Sequence, residues 1–214
     1  MLPVLYPYFI LLGIINILSV WQWKALAKED KIIALLIGLT TIEEIIAALA
    51  SHKFQNNLWV FHIYSPIEFF LISLYFNYCI RTFRKKKIGL GIGLFGIVLA
   101  ICNTLFIQKI TTINSYYLLF EGSLVIIYCL LSFHQILMDE ERLPYRFAHF
   151  WITICFIIYW SSTFTGWGIY NVLDKDEFLL NPIFDKVLAA ANFAFYLGLS
   201  AVFIFYKKLI PSGG

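Results

Sequence analysis

Four glutamates of this chain lie inside apolar stretches, where an ionisable side chain is energetically expensive. Glu43 and Glu44 are adjacent, whereas Glu68 and Glu121 each belong to a longer apolar run. An acidic residue at the centre of a membrane-spanning helix costs about 2.5–3.5 kcal/mol when nothing compensates it. Such a group needs a proton, a partner, a cation or a water-filled cavity, so it commonly marks a functional site. The alternative is that these acids only join neighbouring helices by hydrogen bonds.

Two of these glutamates follow a tyrosine at the same interval. Tyr64 precedes Glu68 by four residues, and Tyr117 precedes Glu121 by four residues. Positions four apart share one face of a helix, so each pair forms a polar stripe. We interpret the repetition as a hint of an old hairpin duplication. We also predict that both stripes face one shared interior cavity.

A histidine and two residues of the last apolar run extend this set. His62 lies outward of Glu68 in the same run, and Asp185 opens the last run. One histidine among several carboxylates provides too few nitrogen or sulfur ligands for catalytic zinc, which generally takes two or three His or Cys ligands. The sequence therefore identifies no catalytic residue, metal site or cofactor. The predicted ligand- or ion-binding residues are Glu43, Glu44, His62, Tyr64, Glu68, Tyr117, Glu121, Asp185 and Asn192.

The composition that must position these residues is typical of a membrane protein. The chain is 61% hydrophobic and 14% charged, against roughly 45–50% apolar and about 25% charged in a soluble domain. Windows of about 20 mostly apolar residues between charged breaks predict a single all-α bundle over residues 1–210. Residues 211–214 are interpreted as an appended tail. The seven predicted spans are 3–23, 32–50, 58–80, 88–107, 115–138, 147–170 and 183–206.

The distribution of lysine and arginine predicts the orientation of this polytopic bundle. Twelve of the 16 fall in the first, third and fifth breaks and in the tail. Because basic loops stay on the inner side, the N-terminus is predicted outside and the C-terminus in the cytoplasm. The basic cluster RTFRKKK fits this topology and contact with lipid headgroups, rather than nucleic-acid binding. His134 and His149 are expected to be ordinary residues of the inner interface.

Closely spaced glycines in the fourth predicted span indicate close helix packing. The segment from Gly91 to Gly96 matches GxGxxG, but no strand precedes it, so a dinucleotide site is not predicted. Gly89 and Gly93 form a GxxxG spacing, which lets two helix backbones approach closely. We therefore predict packing through Gly89, Gly93 and Gly96, either within the chain or between copies in a homo-oligomer.

The segments NNLWVFHIYSPIEFF and YYLLFEGSLVIIY resemble an uncharacterised family of seven-helix bacterial membrane proteins. The resemblance implies a bacterial inner-membrane location and no particular activity. From the residues themselves, we predict an outward-facing, acid-rich cavity, surrounded by membrane lipids, that binds or senses a small molecule or cation. A proton- or cation-coupled transporter is the first alternative. An intramembrane metal-dependent hydrolase is the second.

Overall fold

The computed structural model describes residues 2–138, 143–172 and 182–209, with side chains for 7–138, 143–170 and 186–209. All regular structure in these ranges is helical. A short helix, α4, joins two of the long ones. The helices are α1 (Leu2–Gln22), α2 (Lys28–Phe54), α3 (Leu58–Cys79), α4 (Arg81–Lys86), α5 (Ile88–Cys102), α6 (Ser115–Leu137), α7 (Ala148–Val172) and α8 (Pro182–Phe205).

The long helices follow the predicted apolar runs to within a few residues. Six of them are long and apolar enough to cross a membrane, counting α5 together with its π-helical end as Ile88–Ile107. For α1, which has 21 residues, the described side chains cover only Pro7–Gln22, a stretch shorter than these six helices. The all-α prediction is therefore confirmed, together with six helices that are long and apolar enough to span a membrane. The seventh span and the orientation remain predictions.

The long helices pack into a closed ring. α1 packs against α2 and α8, α2 against α3, α3 against α6, α6 against α7, and α7 against α8. α5 lies beside the ring and packs mainly against α3. Because long helices that follow one another along the chain are antiparallel, α2 and α7 end at the same side of the bundle at which α1, α3, α6 and α8 begin. We call this side the cavity end, and the opposite side, which carries α4, the basic end.

Glycines allow α5 to approach α3 closely. A Cβ atom at Gly89 would lie 2.5 Å from the carbonyl oxygen of Ser73, and one at Gly93 would lie 3.1 Å from the Ser73 Cβ. A Cβ atom at Gly96 would overlap the ring of Phe69. The predicted close packing is therefore confirmed within the chain. Because these glycines are buried against α3, they are not available for contact with a second copy.

The last turn of α5 directs the chain back over the cavity end. Asn103–Ile107 forms a π-helical turn, in which the Gln108 N–H donates to the Asn103 carbonyl at 2.8 Å. The Asn103 side chain donates to Gln108 Oε1 at 3.1 Å. The wide turn ends the helix without leaving these polar groups unpaired, and the loop that follows reaches Ser115, where α6 begins.

His149 is buried near the start of α7, so the expectation of an ordinary interfacial histidine is wrong for this residue. Its side chain is only 3% exposed. Nδ1 lies 2.7 Å from the Tyr75 hydroxyl of α3, and Nε2 lies within hydrogen-bond distance of the Ser132 hydroxyl of α6. These hydroxyls replace water around the ring, which allows an imidazole to sit between three helices. His134, in contrast, is exposed.

Candidate functional site

A cavity of about 380 Å³ lies inside the ring at the cavity end. Its wall combines carboxyl groups, tyrosines and tryptophans with a smaller number of aliphatic side chains. Six helices of the ring and the loop before α6 contribute to it. The lining residues are Tyr8, Thr40, Glu43, Glu44, Leu58, Phe61, Tyr64, Ser65, Glu68, Ile113, Asn114, Leu118, Tyr159, Trp160, Thr163, Trp167, Leu188, Asn192 and Tyr196.

Three carboxyl groups line this cavity, two from α2 and one from α3. Glu44 accepts a hydrogen bond of 2.8 Å from the Tyr8 hydroxyl. Glu43 is 6% exposed, and its Oε1 atom has no hydrogen-bond partner. The charge of Glu43 interacts with the charges of Glu44 and Glu68, so the three groups lie close together. The described lining contains no Lys, Arg or His side chain that could pair with these carboxyl groups.

Hydroxyl groups hold the tyrosines of the wall in place. The Thr40 hydroxyl donates to the Leu36 carbonyl at 2.9 Å and also lies within hydrogen-bond distance of the Tyr64 hydroxyl. Since the single proton of Thr40 is used on Leu36, Tyr64 is the donor in the second bond. The Tyr8 and Tyr196 rings meet edge to face, with centroids 5.8 Å apart. These contacts fix the rings that face the carboxyl groups.

Glu121 lies behind the cavity wall rather than in it. Its side chain is fully buried, and neither carboxyl oxygen has a hydrogen-bond partner. Its charge interacts with that of Glu68, so the two carboxyl groups are neighbours. The Tyr117 hydroxyl is likewise buried and without a partner. The shared-cavity prediction therefore holds for Tyr64 and Glu68 only.

The packing of α6 against α7 explains why the second stripe is covered. Gly122 faces α7, and a Cβ atom there would lie 3.2 Å from the Trp160 ring and 3.3 Å from the Phe164 ring. At this distance the aromatic side chains of α7 close over the adjoining face of α6. Trp160 also belongs to the cavity wall, whereas Glu121, next to Gly122 in sequence, does not.

His62 holds the loop at the cavity end and does not line the cavity. Its Nε2 lies 2.8 Å from the Thr112 carbonyl, and its Nδ1 lies 2.8 Å from the Thr104 hydroxyl. A carbonyl oxygen only accepts, so Nε2 carries the proton and Nδ1 accepts from Thr104. The two ring nitrogens therefore join α3 to the π-helical turn after α5 and to the loop before α6. This leaves His62 no free nitrogen for a ligand.

The remaining predictions have mixed outcomes, and some wall residues were missed. Asn192 lines the cavity, whereas Asp185 lies outside the residues whose side chains are described. Thr40 and Tyr196 could have been found, because each lies four positions from a predicted site residue and so shares its helix face. Tyr8 and Tyr159 had no such signal. Which face they turn inward depends on contacts between helices distant in sequence.

The comparisons with known proteins provide no relative from which a role could be transferred. No family model, curated protein or solved structure matches the chain. Among the residues that the structure describes, no group of three or more His, Cys, Asp and Glu side chains could hold a metal ion. Function must therefore be inferred from the cavity, whose chemistry is acidic and aromatic.

Proposed function

We propose that this chain is a seven-helix integral membrane protein that binds or senses a small organic cation. The observation that supports this most directly is the cavity wall, in which three carboxyl groups and several aromatic rings surround about 380 Å³. A volume near 300–1,000 Å³ is typical of small-molecule sites. In this proposal the N-terminus lies outside the inner membrane of a bacterium, and the cavity opens outward.

The wall favours an organic ammonium group over a bare metal ion. Glu43 has an unpartnered carboxyl oxygen, which can pair with the positive charge of an ammonium group. Tyr64, Tyr159 and Tyr196 lie in the same wall, and a cation over the face of an aromatic ring gains about 2 kcal/mol or more when water is excluded. A metal ion, in contrast, needs several oxygen ligands held at fixed short distances. An alkylammonium ion uses both the carboxyl groups and the rings.

A matched pair of probes tests the proposal. Choline and its uncharged isostere 3,3-dimethylbutan-1-ol have nearly the same shape, so calorimetry on the purified protein isolates the contribution of charge. We expect choline to bind at least about tenfold more tightly, which corresponds to about 1.4 kcal/mol. Equal affinities, or no binding of choline, would contradict the proposal.

A pair of variants tests whether choline binds at the carboxyl groups of the cavity. Glu68→Gln removes a carboxylate from the wall and is expected to weaken choline binding about tenfold or more, because a charge-assisted contact is lost. Glu29→Gln is the control, since Glu29 is a buried carboxyl group at the basic end of α2. We expect this control to bind choline as the natural chain does. A similar loss in both variants would point to a general structural effect instead.

Cation transport coupled to protons is the second candidate, and Glu121 favours it. This residue is fully buried behind the wall, next to Glu68, and its oxygens have no partner. Buried acids in such positions serve as proton carriers in membrane transporters. Uptake of radiolabelled choline into proteoliposomes that depends on a pH gradient and is lost in Glu121→Gln would support transport. Choline binding without such uptake would support a receptor. No observation favours the metal-dependent hydrolase.

A further inference from the structure

A second concavity lies on the outside of the bundle, along the seam between α7 and α8. It has a volume of about 580 Å³ and lies toward the basic end, away from the acidic cavity. Its edges include exposed apolar side chains, among them Ile158 at 55% and Phe205 at 52%. We call it the seam groove. Its lining residues are Tyr145, Trp151, Ile154, Cys155, Ile158, Ala194, Phe195, Gly198, Ala201, Val202, Phe205 and Leu209.

The seam groove has the length of one leaflet of a bilayer. Along α8 it extends from Ala194 to Phe205, which at 1.5 Å per residue is about 16 Å. Half of the hydrocarbon core of a bilayer is about 15 Å. The floor lies near Gly198, where an added Cβ atom would come 2.7 Å from the Cys155 sulfur. A groove of this length and chemistry matches one extended acyl chain.

Two cationic residues are sequence neighbours of residues that line the basic end of the seam groove. Arg146 directly follows the lining residue Tyr145, and Lys208 directly precedes Leu209. The ammonium group of Lys208 lies 5.5 Å from the ring centre of Phe205, which is also part of the lining. Both cations are exposed. Lys207, in contrast, contacts the Trp21 ring and so points toward α1.

We propose that the seam groove binds an anionic phospholipid, with one acyl chain between α7 and α8 and the headgroup phosphate on Arg146 and Lys208. The charges favour this occupant over a second copy of the chain. Two parallel copies related by a twofold axis along the membrane normal would place Arg146 and Lys208 of each opposite the same cations of the other. Like charges at such a contact repel. A phosphate brings the opposite charge.

Native mass spectrometry of the purified chain tests this site with two lipids that share the same acyl chains, phosphatidylglycerol and phosphatidylcholine. Each basic residue near an anionic headgroup is worth about fivefold in affinity. We therefore expect phosphatidylglycerol to bind at least about tenfold more tightly. The double variant Arg146→Gln/Lys208→Gln should abolish that preference. Both side chains are exposed, so the fold should tolerate the change.

The control variant is Lys85→Gln/Lys86→Gln, which removes the same charge from α4, outside the groove lining. It should keep the preference for phosphatidylglycerol. Ala201→Trp fills the groove at an exposed position and should weaken the binding of both lipids. Equal affinity for both lipids, equal loss in the control, or a dimer that Ala201→Trp dissociates would each overturn the proposal.

Discussion

Among the described residues, buried polar groups are mostly hydrogen-bonded at the basic end of the bundle, whereas several at the cavity end have no partner. At the basic end, His149 bonds to hydroxyls of two neighbouring helices, and the Tyr206 hydroxyl donates to Asp30. At the cavity end, many buried polar atoms have no partner. Among the described residues, seven buried side-chain atoms lack a hydrogen bond, and six of them belong to the cavity end, the exception being Gln22 Oε1. Those six belong to Glu43, Asn114, Tyr117, Glu121 and Trp160.

The difference between the two ends indicates which end stabilises the fold and which end carries the function. A buried polar group without a partner costs about 1–3 kcal/mol, so a chain that leaves several together weakens its own fold at that place. Buried polar groups without partners are found mainly at ligand-binding sites, whereas a network of paired groups holds helices in register. We infer that the basic end stabilises the bundle and that the cavity end performs its function. Substitutions at the two ends should therefore have opposite effects.

The largest effect on stability is expected from His149→Leu. The change leaves the Tyr75 and Ser132 hydroxyls, both buried, without the imidazole to which they bond. The free energy of unfolding should fall by about 2–3 kcal/mol. Unfolding in mixed detergent micelles measures this loss, and calorimetry should show choline affinity within about twofold of the natural chain.

The matched control for this histidine is His134→Leu. His134 is exposed on α6, so its loss leaves no buried group unpaired. Its effect on the free energy of unfolding should stay within about 0.5 kcal/mol. If both leucine variants unfold at the same detergent composition, the network around His149 does not stabilise the bundle.

A smaller effect at the same end is expected from Tyr206→Phe. The Tyr206 hydroxyl donates to the Asp30 carboxylate and accepts from the Ala27 N–H at 2.9 Å, which ties the end of α8 to the start of α2. Its removal should lower the free energy of unfolding by about 1–2 kcal/mol and leave choline affinity unchanged. The comparison variant is Tyr78→Phe, at an exposed position of α3. A larger loss for Tyr78→Phe would contradict this assignment.

The helices could be predicted from the sequence because a membrane imposes their length. Backbone groups in lipid must be satisfied within the helix, so each span reads as an uninterrupted apolar run between charged breaks. That is why α3 and α6 begin and end within a residue or two of the predicted limits. The glycine spacing of α5 also predicted its close approach to α3, since only glycine permits that contact.

The inner arrangement of the site could be predicted only in part. The free-energy cost of an acidic side chain in lipid indicated that Glu43, Glu44 and Glu68 must face inward. These three residues do line the cavity. The same reasoning could not separate them from Glu121, because burial behind a wall and exposure to a cavity both keep an acid away from lipid. The position of His62 outside the cavity lining could not be predicted for a related reason. Its partners, Thr104 and the Thr112 carbonyl, come from a turn that local spacing does not reveal.

The smallest effect, and the one opposite in sign, is expected at the cavity end from Glu43→Gln. Glu43 Oε1 has no hydrogen-bond partner, and its charge is repelled by Glu44 and Glu68. An amide removes that repulsion, so the free energy of unfolding should rise by about 0.5 kcal/mol while choline binding weakens about threefold. Glu44→Gln is the matched neighbour. It weakens the hydrogen bond from Tyr8, so it should bring no gain in stability. A loss of stability in Glu43→Gln would mean that the unpaired carboxyl group supports the fold, and the contrast between the two ends would then disappear.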